Sequence, residues 1–316
     1  MKKAVSRAAL LLVASGILWC AGCARLMPPR KPAPPAGREE PTISLYVNQT
    51  GERKNIKLEE YVAGVVAAEM DPTWPVNALA AQAILARTFT MENIKSGKVR
   101  DLHGTDASTS KEEFQAYDPS RVNDNVRRAV DLTRGKVALY NGEYIKAWFN
   151  ACDGGVSASA AEGLAYTEKP TPYVKAGVKD GCLSITVPEN RYWERRIPLE
   201  KVRAAVQKIT GRDPGPVTAV AVTRRGPSGR VEELKVGDVP VSGPALRLAL
   251  GSDLVRSMLL TKVAVEGGSL VLAGKGFGHG VGMCQWGARL MAEKGRSPED
   301  ILRFYFKDIE IRKLWD

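Results

Sequence analysis

The sequence predicts an α+β fold for residues 42–316, which we do not divide into independent domains. Strand patterns of alternating apolar residues are interspersed with helical patterns whose apolar residues recur every three or four positions. The chain has 44% hydrophobic and 26% charged residues, as globular chains do, and no internal repeat is visible. These three observations favour mixed helices and sheets, with a β-rich lobe at about residues 185–263.

The amino-terminal part is predicted to begin with one strand and two helices. TISLYV, residues 42–47, alternates as a strand does, and the apolar period that follows predicts a helix over residues 58–69. A second helix is predicted to start at Pro75, with Thr73 as its cap, and to end near Gly97.

Strands and helices then alternate to the end of the chain. EEFQAYD and KVALYNGEYIKAWFNAC are predicted strands, the latter a hairpin that turns at Asn141-Gly142, with a helix over residues 121–134 between them. The remaining predicted elements are two strands, AVAVTRR and VEELKV, and four helices, LEKVRAAVQKI, GPALRLALG and the segments 284–295 and 298–307.

The first residues predict export. MKKAVSRAALLLVASGILWCAGC has a basic start, an apolar run and small residues before Cys23, so residues 1–22 are predicted to be a signal peptide. Its end resembles the bacterial lipoprotein cleavage box, in which the cysteine after the cut is lipidated; a plain cleaved signal is the alternative. Residues 23–41 are rich in proline and are predicted to be a tether. The mature protein is then extracytoplasmic and attached to the membrane through Cys23.

The charge balance narrows the class of partner. The chain has 46 Lys and Arg and 35 Asp and Glu residues, a formal net charge of +11. This excess suits an anionic partner such as nucleic acid, anionic lipid or an acidic cell-wall polymer, and charge alone does not choose among them. With an export signal in front, we predict an envelope partner and no nucleic acid.

Alternating glycines form the most unusual stretch of the sequence. GKGFGHGVGMCQWGARL, residues 274–290, has glycine at every second position from Gly274 to Gly282. It lacks the G-x-G-x-x-G and G-K-[ST] spacings, which argues against a phosphate-binding loop. Period-two glycine predicts an extended strand with one bare face, against which either a flat sugar ring or a helix could pack.

The cysteines and histidines carry weaker signals. Cys152 and Cys182 each lie beside a glycine-containing turn and could form a disulfide in an oxidising compartment; two buried thiols are the alternative. Cys284 begins a predicted helix, where the dipole could lower its pKa, but a small apolar residue is favoured there over a nucleophile paired with His279. With two histidines and no C-x-x-C pair, we predict no metal site and no cofactor.

Glu69 is the candidate for acid catalysis that the residues themselves single out. It continues the apolar face of the helix predicted over residues 58–69 and lies at the C-terminal end of that helix. Burial and the negative end of the helix dipole both raise the pKa of a carboxyl group in such a place. A carboxyl that stays protonated near neutral pH can act as a general acid on a glycosidic oxygen, and a structural glutamate bonded to backbone is the alternative.

Two long motifs at opposite ends of the chain carry a resemblance to a known family. VAAEMDPTWPVNALAAQAILARTFT and GFGHGVGMCQWGARLMAEKGRSPEDILRFYF resemble the two signatures of the sporulation stage II protein D (SpoIID) family, also called amidase-enhancer or LytB-like proteins. FQAYD, TRGKVALYNGEYIKAWFNACDGG and VSGPALRLALG match intervening segments in the same order. The resemblance covers about residues 43–311 and implies one SpoIID-like catalytic domain over residues 42–316.

This resemblance implies a peptidoglycan lytic transglycosylase, which cuts a glycan strand between N-acetylmuramic acid and N-acetylglucosamine without water and leaves a 1,6-anhydro end. The family's catalytic glutamate matches Glu69. One carboxyl group suffices, because it can donate a proton to the leaving oxygen and then accept one from the C6 hydroxyl. The matching polar positions, which are the predicted sugar contacts, are Arg87, Gln115, His279 and Gln285. A non-catalytic glycan-binding module that recruits or activates a cell-wall amidase is the alternative.

Departures from the family pattern add further expectations. Cys284 stands where the family has serine, so a thiol is not required there. Asp71 replaces a proline and, as a like charge, is expected to raise the pKa of Glu69 further. Some members hold zinc with one histidine and two cysteines, whereas here only His103 of such a set is present, which implies no metal.

Overall fold

The computed structural model describes residues 39–316. The predicted signal peptide, Cys23 and most of the predicted tether lie outside the described residues. Within the part of the chain that the structure describes, no helix combines the length and the apolar character needed to cross a bilayer.

Helices and short strands are interspersed along the chain, which confirms the predicted α+β class. The strands are β1 (Thr42–Val47), β2 (Glu52–Lys57), β3 (Ala107–Ser108), β4 (Lys136–Tyr140), β5 (Glu143–Tyr144), β6 (Phe149–Asn150), β7 (Trp193–Pro198), β8 (Val220–Arg225), β9 (Val231–Val236), β10 (Val239–Ser242), β11 (Leu260–Glu266), β12 (Ser269–Gly274), β13 (Met283–Cys284) and β14 (Glu310–Lys313). The helices are α1 (Leu58–Glu69), α2 (Val76–Ser96), α3 (Lys98–His103), α4 (Asp124–Leu132), α5 (Ala160–Leu164), α6 (Pro188–Arg191), α7 (Leu199–Thr210), α8 (Gly243–Leu250), α9 (Gln285–Glu293) and α10 (Pro298–Tyr305). Two 3-10 helices span Pro119–Arg121 and Cys182–Ser184.

The first helix forms where the sequence predicts it, and its first turn is capped from outside. Lys57, at the N-cap of α1, makes no side-chain cap. Instead, the Glu59 N–H donates to the Glu40 carboxylate at 2.9 Å, and Glu40 also pairs with Arg134 at 2.5 Å. A carboxylate is favoured at this place because unpaired N–H groups and the positive end of the helix dipole meet there. The packed part of the chain therefore includes Glu40, which the sequence assigns to the tether.

Two local predictions in the amino-terminal part are wrong. Thr73 does not cap α2, whose N-cap is Pro75, because its N–H and hydroxyl both donate to the Asp71 carboxylate. EEFQAYD forms no strand. Its backbone is used differently, since the Ala116 N–H donates to the side chain of Glu69. A strand ladder and a side-chain acceptor compete for the same donor, and here the side chain takes it.

The strands form several small sheets rather than one continuous sheet. In hydrogen-bonded order they are β2-β1-β3, β14-β4-β5, β13-β6, β10-β9-β8 and β11-β12-β7. The predicted hairpin is confirmed, because β4 pairs antiparallel with β5 across Asn141 and Gly142, whose φ angles are 51° and 81°. Positive φ at both central residues is what a two-residue type I′ turn requires.

Two large hydrophobic cores organise these elements, and a third, small cluster contains Ala158, Ala160 and Val281. The first buries residues of α1, α2, α4, α9 and α10 together with the adjoining strands. The second consists of buried residues between Trp193 and Leu272. It corresponds to the lobe predicted at residues 185–263, but it contains α7 and α8 beside its two three-stranded sheets and continues into β12. The lobe is thus itself α+β, with helices packed on its strands.

The glycine run is a winding loop, so the prediction of an extended strand with one bare face is wrong. After β12 ends at Gly274, the next four alternate glycines have φ angles between +73° and +118°. Such angles favour glycine because a Cβ would be strained there. The loop is also tightly packed, since a Cβ on Gly282 would fall on the carbonyl oxygen of Trp148 and one on Gly280 on the Arg230 guanidinium. These glycines make room for other parts of the chain, not for a ligand.

Gly282→Ala is expected to lower the free energy of unfolding well beyond the cost of its φ angle alone. A positive φ costs a non-glycine residue about 1–2 kcal/mol, and forcing atoms into a packed interior adds about 1–3 kcal/mol. Gly211→Ala is the matched control, because Gly211 has a φ of +69° and no atom within 4 Å of a built Cβ. Urea denaturation of both variants measures the difference, and an equal loss would contradict the packing explanation.

Candidate functional site

Glu69 lies at the C-terminal end of α1, where its carboxylate is partly exposed and held by backbone. Its Oε1 accepts a hydrogen bond from the Ala116 N–H at 3.0 Å. Burial raises the pKa of Glu69, while the Ala116 hydrogen bond and the charge of Lys111 act in the opposite direction. The expected direction of the shift, and desolvation as its cause, are confirmed. The same hydrogen bond is what the alternative of a structural glutamate predicts.

Asp71 does not act on Glu69 as the sequence leads us to expect. Its carboxylate accepts from the Thr73 N–H at 2.9 Å and from the Thr73 hydroxyl at 2.8 Å. These hydrogen bonds lower the pKa of Asp71, and Arg121 and Arg289 lower it slightly more. Asp71 is not among the groups that shift the pKa of Glu69, whose rise comes from burial.

The two sequence motifs meet at a pair of tryptophans. The Trp74 N–H donates to the Asp71 carbonyl at 3.0 Å, in a turn that follows Glu69 closely. Trp286, in the first turn of α9, lies with its ring centroid 4.7 Å from that of Trp74. The Arg289 guanidinium stands 5.2 Å and 5.1 Å from the two ring centroids. We call Trp74, Trp286 and Arg289 the tryptophan platform.

The sequence interpretation missed these three residues as site candidates. Trp74 and Trp286 do each stand inside one of the two motifs, in PTWP and QWGA. Aromatic residues of this kind are common in binding sites because they offer a large apolar face together with a polar edge. Trp74 and Trp286 are more than two hundred positions apart, so no local sequence pattern indicates that their rings are in contact.

Gln285 and Gln115 are buried, at 5% and 3% exposure, and each supports a part of this region. The Gln285 Nε2 donates to the Gln82 Oε1 at 3.3 Å, which ties the start of α9 to α2. The Gln115 Nε2 donates to the Thr90 hydroxyl at 3.1 Å and so fixes the segment whose next residue holds Glu69. Both predicted sugar contacts are thus buried residues that support the site from within the protein.

Arg87, a further predicted sugar contact, is enclosed in the first core with no exposed surface. Its guanidinium binds both carboxylate oxygens of Glu59, at 3.0 Å and 2.5 Å, and donates to the Lys136 carbonyl at 2.8 Å. Glu59 also accepts from the Gly135 N–H and the Trp315 indole. This is the arrangement of a structural ion pair, so the structure corrects the predicted contact between Arg87 and a ligand.

His279 lies in the glycine loop and stays neutral. Burial, with the charges of Arg247 and Arg230, lowers its pKa to about 3. Its Nδ1 accepts from the Val281 N–H at 3.0 Å, and the ring also makes a backbone hydrogen bond with Phe149. Its described contacts therefore hold the loop in shape and do not link it to Glu69.

The three cysteines of the described chain lie together as free, buried thiols. The Sγ atoms of Cys152 and Cys182, the predicted disulfide pair, are 3.4 Å apart and unbonded. Cys284 caps α9 and accepts from the Gly287 N–H at 3.4 Å. Burial raises the pKa of Cys284, which is opposite to the expected effect of the helix dipole and argues against a thiolate nucleophile.

Comparisons with known proteins place this geometry in a family context. Residues 46–140 match the family described as stage II sporulation protein (SpoIID), and residues 187–282, over the second lobe and glycine loop, match a domain of unknown function (DUF8618). The chain is 31% identical over 300 residues to stage II sporulation protein D of Bacillus amyloliquefaciens, covering 89% of this chain and 82% of that protein. It is 30% identical to an uncharacterised protein of Brachyspira hyodysenteriae, covering 81% and 67%. With the amidase enhancer of Bacillus subtilis it shares 27% identity over 77% of this chain and 39% of that protein.

Proposed function

Because the chain belongs to the sporulation stage II protein D family, we propose that it is a lytic transglycosylase that cuts the glycan strands of peptidoglycan. The bond cleaved joins N-acetylmuramic acid to N-acetylglucosamine, and the product carries a 1,6-anhydro end. The single observation that carries this proposal is the state of Glu69, a partly exposed carboxyl at a helix end with a raised pKa and one oxygen held by backbone.

Glu69 acts in both halves of the proposed reaction. Its proton goes to the glycosidic oxygen as the bond from the muramic acid C1 to that oxygen breaks. The resulting carboxylate then takes the proton of the C6 hydroxyl, whose oxygen bonds to C1 and closes the anhydro ring. The Ala116 N–H stabilises the carboxylate formed between the two steps. No water enters, so one carboxyl group completes the cycle.

The tryptophan platform is the surface proposed to hold the sugar next to Glu69. The partly exposed Trp286 ring offers an apolar face for the sugar, the buried Trp74 ring supports it, and Arg289 adds a positive charge that suits an acidic polymer. Gln115 and Gln285 contribute by fixing the segments that carry Ala116 and Trp286. The excess of basic residues, a formal net charge of +11 for the whole sequence, suits the same anionic partner.

A non-catalytic role is the second candidate, because one relative is named amidase enhancer. In this version the platform binds glycan strands, and the protein recruits or activates an N-acetylmuramoyl-L-alanine amidase there. Glu69 would then be structural, as its backbone hydrogen bond allows.

The mass of the product ends separates these functions. Purified protein incubated with intact peptidoglycan, and with glycan strands freed of peptides, is expected to release fragments that end in 1,6-anhydro-muramic acid. Mass spectrometry of the digest detects them, because each is one water lighter than the product of hydrolysis. Reducing ends would indicate a hydrolase instead, and no release from either substrate would favour the amidase enhancer.

We further propose that the protein is an extracytoplasmic lipoprotein anchored through Cys23, which precedes the described residues. A labelled fatty acid is expected to enter the wild-type protein in cells and to be absent from Cys23→Ala. The wild-type protein should also sediment with membranes, whereas the variant should not. Label in both proteins would contradict lipidation at this cysteine.

A further inference from the structure

Three sulfur atoms from distant parts of the sequence converge between the elements β6, β13 and the 3-10 helix at Cys182–Ser184. Cys152 follows β6, Cys182 begins the 3-10 helix and Cys284 ends β13. The Sγ atoms of all three lie within 4.8 Å of one another. Each cysteine has no exposed surface. These three cysteines are not the zinc ligands of some family members, which are one histidine and two cysteines and of which this chain has only His103.

A buried carboxylate lies beside two of these sulfurs, because an oxygen of Asp153 is within 4.8 Å of the Cys182 and Cys284 Sγ atoms. Asp153, with no exposed surface, accepts from the Gly155 N–H and from the Cys182 thiol through Oδ1, at 2.8 Å and 3.2 Å. Its Oδ2 is buried and has no hydrogen-bond partner among the described residues. Burying a carboxylate oxygen without a partner is costly, so the place calls for a cation or a donor. A carboxylate oxygen of Asp180 lies in the same group, but Asp180 already accepts from the Cys182 N–H through Oδ1 and from the Tyr305 hydroxyl through Oδ2, so Asp153 has the free oxygen.

We propose that Cys152, Cys182, Cys284 and Asp153 form a metal site that takes one Zn²⁺ ion or a similar thiophilic divalent cation. Three sulfurs and one carboxylate oxygen are a donor set that zinc accepts in tetrahedral sites. Zinc–sulfur bonds of about 2.3 Å at tetrahedral angles put sulfur atoms about 3.8 Å apart. The Cys152 and Cys182 sulfurs, at 3.4 Å, need to move only slightly to reach that separation.

The charge of the surroundings suits such a site. On binding, the three thiols release their protons to solvent, and three thiolates with one carboxylate around a divalent ion carry a net charge of two minus. The guanidinium of Arg230, 1% exposed, donates to the Asp153 carbonyl at 2.5 Å and to the Val156 carbonyl at 2.8 Å. A buried cation next to the donor set offsets part of that negative charge.

A disulfide between Cys152 and Cys182 is the competing arrangement. It needs the two sulfurs to close to about 2.05 Å. It would also leave the Asp153 Oδ2 without a partner among the described residues and would not involve the Cys284 sulfur, which lies within 4.8 Å of the other two sulfurs. The metal uses all four groups, which is why we favour it over the disulfide.

The test uses the full-length protein purified without oxygen and without chelators. Elemental analysis is expected to find one zinc per chain. After zinc is exchanged for Co²⁺, sulfur-to-cobalt charge-transfer bands and the strong visible bands of a tetrahedral site should appear. Alkylation after unfolding with a chelator should label Cys152, Cys182 and Cys284 completely, as peptide mapping reveals. A Cys152–Cys182 disulfide, or a protein that binds no stoichiometric metal, would overturn the proposal.

Variants then assign the ligands. Cys284→Ser and Asp153→Asn should weaken Co²⁺ binding at least tenfold and change the absorption bands. Glu162→Gln is the matched control, because Glu162 is also a buried carboxylate with one unpaired oxygen but lies in neither group of donor atoms found among the described residues, and it should keep the metal with unchanged bands. Undiminished affinity in both Cys284→Ser and Asp153→Asn would overturn this site even if the protein contains metal. Because the readouts are spectroscopic, they are independent of the proposed glycan cleavage.

Discussion

Glu69→Gln is expected to lower the release of anhydro-ended products by about 10²–10⁴-fold, the usual cost of losing general acid–base catalysis. The amide matches the carboxyl in shape and can still accept the Ala116 N–H. It cannot deliver an acidic proton to the glycosidic oxygen or take one from the C6 hydroxyl. The tryptophan platform is unchanged, so binding of glycan strands should persist. Mass spectrometry of the digest measures the rate, and sedimentation with insoluble peptidoglycan measures the binding.

Asp71→Asn is the matched control for this experiment. Asp71 lies two residues further along the chain, but its carboxylate is engaged by Thr73 and has a lowered pKa, so it cannot serve as the acid. We expect little change in rate.

The dependence on pH is a second test of Glu69. The wild-type rate should fall as pH rises through the raised pKa of Glu69, because the protonated fraction of its carboxyl group falls. Equal release by wild type and Glu69→Gln would contradict acid catalysis by Glu69.

Arg87→Met is expected to lower the free energy of unfolding by about 3–5 kcal/mol, the cost of removing one partner from a buried ion pair. The Glu59 carboxylate would keep hydrogen bonds from Gly135 and Trp315 but would lose the only cation described next to it. Methionine replaces most of the volume, so a cavity adds little to the loss. Urea denaturation followed by tryptophan fluorescence measures the change.

The control for Arg87 is Arg121→Met, because Arg121 lies near the surface and the side-chain hydrogen bond described for it, to the Ala68 carbonyl, is long at 3.4 Å. Its loss should change stability by less than about 0.5 kcal/mol. Kinetics distinguish the structural role of Arg87 from the sugar contact that the sequence suggests. A structural role predicts that kcat/KM per folded molecule is unchanged. A raised KM at unchanged stability would instead support a direct contact between Arg87 and the sugar.

Local features of this fold are readable from the sequence. α1 begins and ends where its apolar period does, and the Asn141-Gly142 hairpin has the two positive φ angles that this dipeptide favours. Glu69 stands out by the same reasoning, because an acidic residue on an apolar face is anomalous in any helix. These signals depend on neighbours within a few positions, so one sequence contains them.

Most of the errors involve partners that are distant along the chain, the exception being the hydrogen bonds between Thr73 and Asp71. EEFQAYD has a strand pattern, but Ala116 gives its N–H to a carboxylate 47 positions away. Arg87 looks like a free ligand-binding cation until Glu59, on another helix, neutralises it. Alternating glycines suit an extended strand equally well, and only the packing of Trp148 and Arg230 against them explains their positive φ angles. Periodicity cannot report such contacts.

The cap on α1 also separates the start of the described chain from Glu69. Glu40 binds the first turn of the helix, and Glu69 ends it. Twelve residues of helix are about 18 Å long, so the entry point of the chain and the acid lie at opposite ends of a rigid rod. Any segment that precedes Glu40 therefore joins the described chain near the end of α1 that is remote from Glu69.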